Sequence, residues 1–112
     1  MQEYGEINVG AEVLFVELAE YRHGGGVCVT MTSDRSGPFG VLSVNLDGHP
    51  DALHLDLQED EFVLNHDYLG DWAKPYLDTF LRSGLFEDTG KRCNYGFCTD
   101  VPVWKLTKKP GV

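Results

Sequence analysis

Period-two alternation of apolar residues recurs through the first half of this sequence, and it constrains the fold more than any other feature. In residues 11–21, Leu14, Val16 and Leu18 fall on one face, because side chains two apart along a strand point the same way. His23-Gly24-Gly25-Gly26 then reads as a turn, and the β-branched run of residues 27–32 as a second strand paired with the first in a hairpin. Ser33 to Pro38 forms another turn. Residues 39–46 form a third strand, with Leu42, Val44 and Leu46 on one face, and Asp47-Gly48-His49-Pro50 ends it. Residues 52–58 alternate again, Leu53, Leu55 and Leu57 against His54, Asp56 and Gln58. Phe62-Val63-Leu64 follows as a continuation after a bulge.

The period then changes. Leu69, Trp72, Ala73, Tyr76, Leu77, Phe80 and Leu81 recur at helical spacing, with N-caps offered by Asn65-His66-Asp67. Pro75 requires a helix that starts close by, with Asp71 as cap, or one that kinks. Gly84 supplies a left-handed C-cap. Residues 85–90 read as a connector and 97–106 as a last strand, placed at an edge because Pro102 cannot donate to a ladder. The expected fold is α+β: a curved antiparallel sheet of about five strands in the order β-β-β-β-α-β, with one amphipathic helix packed on one face. The chain of 112 residues, 42% hydrophobic and 24% charged, is read as a single domain spanning 1–112, with a frayed basic tail at 107–112.

Charge is the second strong pattern. The formal net charge is −9, but residues 1–90 hold 17 acids against 4 bases and residues 91–112 hold 5 bases against 1 acid. No Lys or Arg stands between Ser36 and Ala73, whereas that window holds Asp47, Asp51, Asp56, Glu59, Asp60, Glu61, Asp67 and Asp71. Such a chain repels nucleic acid and anionic lipid, so neither direct nucleic-acid binding nor a membrane is expected. A solvated acidic face explains the window in the plainest way. The sharper explanation is a surface for a basic partner that normally holds phosphates. Carboxylates on one strand face recur about every 6.6 Å, which gives a ladder of negative charge. Tyr68 and Trp72, beside the window, are the candidate apolar anchors. The candidate partner-binding residues are therefore Asp51, Asp56, Glu59, Asp60, Glu61, Asp67, Tyr68, Asp71 and Trp72.

Catalytic and cofactor signals are weak throughout. The three-glycine run at 24–26 leads into a strand with no following Lys-Ser or Lys-Thr, so it is a hairpin tip and not a phosphate loop. Three cysteines, Cys28, Cys93 and Cys98, argue against a disulfide framework. Cys93 and Cys98 lack a second ligand pair for zinc. Lys91-Arg92 beside Cys93 is not enough to make a nucleophilic site. Asp56 and Glu59 near His54 can be drawn as acid–base groups, yet they fit an exposed strand end equally well. No enzyme activity, metal or cofactor is expected. The opening Met1-Gln2-Glu3-Tyr4 lacks the basic-then-apolar pattern of a signal peptide, so a cytoplasmic location is expected.

Several stretches taken together resemble a family of small bacterial domains of unknown function carried on phages, plasmids and other mobile elements. They are residues 13–18, Val44-Asn45-Leu46, Leu64-Asn65-His66-Asp67-Tyr68, residues 83–91, Tyr95-Gly96-Phe97 and residues 101–106. The resemblance runs from about Glu12 to Thr107, and its motifs are structural rather than catalytic. Leu69-Gly70-Asp71 stands where the family often has a polar Asn-Glu pair. The resemblance implies a setting in which small acidic proteins act as inhibitors of host defence, of anti-CRISPR or anti-restriction type. The expectation is thus a cytoplasmic nucleic-acid mimic, monomer or dimer. It would occupy the basic surface of a protein or ribonucleoprotein complex such as a CRISPR effector. The alternative is a non-enzymatic assembly or dimerisation module of a phage or plasmid.

Overall fold

The computed structural model describes residues 2–20, 27–46 and 57–108. Among these residues stand two four-stranded antiparallel sheets and one α-helix, not one curved five-stranded sheet. The first sheet is a meander of β1 (Gln2–Val9), β2 (Glu12–Glu20), β3 (Val27–Ser33) and β4 (Gly37–Val41), in that order. The second is ordered β5 (Ser43–Val44), β6 (Glu61–Leu64), β8 (Cys98–Leu106), β7 (Phe86–Tyr95). Helix α1 (Lys74–Arg82) lies between β6 and β7 in the chain. The turn at 23–26, the break at 47–50, the alternating segment 52–56 and the tail end 109–112 lie outside the described residues.

The β2–β3 hairpin forms as its pattern predicts, pairing Leu14 with Ser33 through Glu20 with Val27. Leu14, Val16 and Leu18 are buried on one face, and Phe15 faces out. The expected third strand instead divides between the sheets. Gly37–Val41 pairs with β3, Ser43–Val44 pairs with β6, and Leu42 between them is the corner where the chain changes sheets. Its N–H donates to the Val29 carbonyl at 2.9 Å and its carbonyl accepts from the Asn65 N–H at 2.8 Å, so both sheets hold it. Corners of this kind arise where a strand bends out of one ladder into another. The Val29 N–H closes the same corner by donating to Ser43 Oγ at 2.9 Å.

Two further strands stand where no strand was expected. β1 carries an extra residue, Tyr4, between the pairs Glu3–Glu17 and Gly5–Val16. The bulge coincides with a long-range contact: the Tyr4 hydroxyl donates to the Leu85 carbonyl at 2.5 Å. β7 includes most of the expected connector. Pro102 does not mark an edge strand, because β8 is central. The β6 ladder pairs only Glu61–Val63 with Lys105–Val103 and stops one residue short of the proline. Helix α1 takes Pro75 in its first turn, where a missing N–H costs least. Ala73, not Asp71, stands at its N-cap. Gly84 follows the helix at φ +80°, the left-handed cap conformation.

One core joins both sheets and the helix. Leu14, Val16, Val29 and Met31 come from the first sheet, Phe62, Leu64, Val101, Val103 and Trp104 from the second, and Phe80 from the helix. Phe62 and Trp104 face each other across β6 and β8 with ring centroids 6.2 Å apart and planes at 71°, an edge-to-face pair.

Candidate functional site

The site is built on one asparagine. Asn65, at the end of β6, donates its side-chain amide to the Val41 carbonyl at 3.1 Å. Its Oδ1 accepts the Asp67 N–H at 3.2 Å and so caps a short 3-10 turn, His66–Tyr68. The residues expected to cap an α-helix thus cap this turn instead, and tie it to β4. A second 3-10 turn, Asp71–Ala73, leads into α1. Between β4 and these turns lies an open groove of about 490 Å³, lined by Phe39, Gly40, Val41, His66, Asp67, Tyr68, Gly70 and Trp72.

Aromatic rings form its body. Tyr68 is 4% exposed, and its ring centroid lies 6.0 Å from that of Trp72 and 6.3 Å from that of Phe80. Tyr76 lies 6.0 Å from both Trp72 and Phe39, closing the cluster. Trp72 remains 60% exposed. Two glycines permit this packing. A Cβ on Gly40 would stand 2.6 Å from the Tyr68 hydroxyl, and one on Gly70 would stand 2.9 Å from Trp72 Cδ1. Burial, with the Asp67 charge adding to it, pushes the Tyr68 hydroxyl up to about 12, so the groove keeps a neutral phenol.

The candidate acids are distributed unequally. Asp67 and Asp71 are exposed beside the groove, and Asp67 Oδ1 lies 3.1 Å from His66 Nε2. Glu59 is exposed and Asp60 half-buried, on the turn before β6. Four-residue β6 separates the two groups by roughly 15 Å, so the described acids flank a strand instead of forming a ladder along it. Glu61, the one acid on the strand, is buried at 6% exposure and pairs with Lys91 Nζ at 2.6 Å. It is therefore absent from the displayed acidic surface, as Tyr68 is from the displayed aromatic surface. Asp51 and Asp56 lie outside the described residues.

Other features bear less on the site. Cys28, Cys93 and Cys98 are not joined in disulfides, and among the described residues no three His, Cys, Asp or Glu side chains gather as metal ligands. No helix among the described residues is long and apolar enough to cross a membrane. Sequence reasoning passed over Phe39, Gly40 and Gly70 as parts of a site, and also Phe97, fully exposed at the tip of the β7–β8 hairpin. The Tyr-Gly-Phe tripeptide at 95–97, a two-residue turn opening on glycine, was the available signal for the last. The chain matches no family model, no curated protein and no solved structure.

Proposed function

We propose that this chain is a non-enzymatic docking domain for a basic protein surface of the kind that holds nucleic-acid phosphates. By occupying such a site it inhibits a nucleic-acid-binding complex of host defence, in the manner of an anti-CRISPR protein. The observation that carries the reading is Trp72, 60% exposed at an open groove, with Asp67 and Asp71 beside it. A large exposed indole held by neighbouring rings has the character of an interface anchor, and aromatic anchors supply most of the binding energy where they are buried by a partner. The surrounding stretch holds no Lys or Arg from 37 to 72, and the whole chain carries −9. That field speeds encounter with a cationic cleft and discriminates against anionic ones. The host setting comes from the resemblance to mobile-element domains described above.

The test is competition. The protein is added to reconstituted CRISPR effector and restriction complexes, and duplex DNA binding is followed by gel shift. The expected result is displacement of DNA from one such complex, stronger at low salt and lost when Glu59, Asp67 and Asp71 are changed to their amides. Displacement that survives those three changes overturns the reading, and so does a failure to displace DNA from any complex.

A further inference from the structure

We propose that the groove receives an arginine side chain of the partner, its guanidinium stacked on the exposed face of Trp72 and its N–H fork turned to the Asp67 carboxylate. The inference rests on the docking reading above and narrows the contact to one side-chain chemistry.

Charge complementarity selects a cation. Asp67 lines the groove, Asp71 adjoins Trp72, and among the described residues His66 is the one basic side chain in the lining. His66 lies against Asp67 Oδ1, and the second carboxylate oxygen is the one we assign to the guanidinium. The aromatic surface selects the same sign: the face of an indole ring is the strongest cation–π acceptor among side chains. A phosphate or carboxylate ligand would meet both the Asp67 charge and the ring face unfavourably. Geometry then favours arginine over lysine. A planar guanidinium stacks on a ring while donating in its own plane to a carboxylate, whereas a compact, strongly hydrated ammonium does one or the other.

The receiving surface is also held in place before binding. Gly70 packs against the pyrrole edge of Trp72, Tyr68 and Tyr76 support it with centroids 6.0 Å away, and Gly40 lets the Tyr68 hydroxyl close against β4. Little ordering is left to occur on binding, which favours affinity. The groove, about 490 Å³, has room for a guanidinium and its methylene stem.

The chain has two tryptophans, Trp72 at 60% exposure and Trp104 at 2%, so two indole N–H resonances separate the groove from the core. Blocked Gly-Arg-Gly-Arg-Gly peptide and its lysine counterpart are titrated against the ¹⁵N-labelled full chain. The arginine peptide is expected to shift the Trp72 resonance and leave that of Trp104 in place. The lysine peptide should bind at least about threefold more weakly. Asp67→Asn should weaken arginine binding about fivefold. Trp72→Ala should abolish it, and Trp72→Phe, a smaller change to the same aromatic cluster, should retain part of it. Equal affinity for the two peptides, no shift at Trp72, or unchanged binding in Asp67→Asn overturns the inference. If any of these occurs while DNA displacement still depends on the acidic residues, the docking reading stands without the arginine contact. If displacement fails as well, both fall.

Discussion

Glu61 Oε1 meets the Lys91 ammonium at 2.6 Å and also accepts the Gln58 N–H at 2.9 Å. A carboxylate at 7% side-chain exposure needs those partners, since leaving a buried charge unpaired is costly. Lys91→Met should therefore destabilise the fold by about 2–3 kcal/mol in urea unfolding, and adding Glu61→Gln should recover part of the loss. Sequence alone counted Glu61 among displayed acids because it stands in Glu59-Asp60-Glu61, where three neighbours look equivalent. The third one opens β6, whose four residues are all buried, and it meets a lysine thirty residues away that no local pattern announces. The tyrosines carry a second residue-scale consequence. Burial is the main cause that pushes both Tyr68 and Tyr95 up to about 12, and electrostatic neighbours add to it: Asp67 at Tyr68, and chiefly Cys98 at Tyr95. The folded state thus favours the neutral phenol. Its stabilising effect is complete below about pH 10, where unfolded tyrosine titrates, and is lost as pH rises through 10 to 12. The unfolding midpoint should fall between about pH 9 and about pH 11, with late tyrosinate absorbance appearing together with unfolding.

At the scale of elements, β7 shows how side chains stabilise an interruption that hides a strand. Thr89, Gly90 and Lys91 stand between the pairs Asp88–Trp104 and Arg92–Pro102. Thr89 Oγ1 donates to the Val103 carbonyl at 2.7 Å, and Asp88 Oδ1 accepts the Gly90 N–H at 2.9 Å. Arg92 holds both Asp88 oxygens, at 2.9 and 3.1 Å. Gly90 has φ +86° with open space around its Cα, so Gly90→Ala isolates the backbone term and should cost about 1–2 kcal/mol in urea unfolding. A negligible cost would mean the bulge relaxes. Bulges also explain which strands were legible. β2 and β3 keep strict alternation and could be read directly. β1 loses its alternation at Tyr4, and β7 places Glu87, Asp88, Gly90 and Lys91 where apolar residues would mark a strand. The signal for β1 was its turn: Gly10, at φ +58°, begins a two-residue loop between the paired Val9 and Glu12.

For the whole molecule, three of the five cations in residues 91–112 are engaged by carboxylates. Lys91 pairs with Glu61, Arg92 with Asp88, and Lys105 lies 3.8 Å from Glu87. The exposed acids around the groove are left outside these pairs, so the charge segregation seen along the chain persists there. Trp72 and Tyr68 were legible as aromatic residues beside the acidic window, and Asp67 and Asp71 as members of that lysine-free window. The groove itself was not, because its other wall, Phe39 to Val41, belongs to a strand of another sheet, and the link through Asn65 is a tertiary hydrogen bond. Retention of partners tests this surface most directly. The full chain and two variants, Trp72→Ala and the combined Glu59→Gln, Asp67→Asn and Asp71→Asn, are immobilised and exposed to bacterial lysate at low and high salt. The expected result is a nucleic-acid-binding protein retained by the unaltered chain at low salt, released by salt or by added duplex DNA, and absent from both variants. Retention of the same protein by either variant contradicts a docking surface centred on Trp72 and its flanking carboxylates.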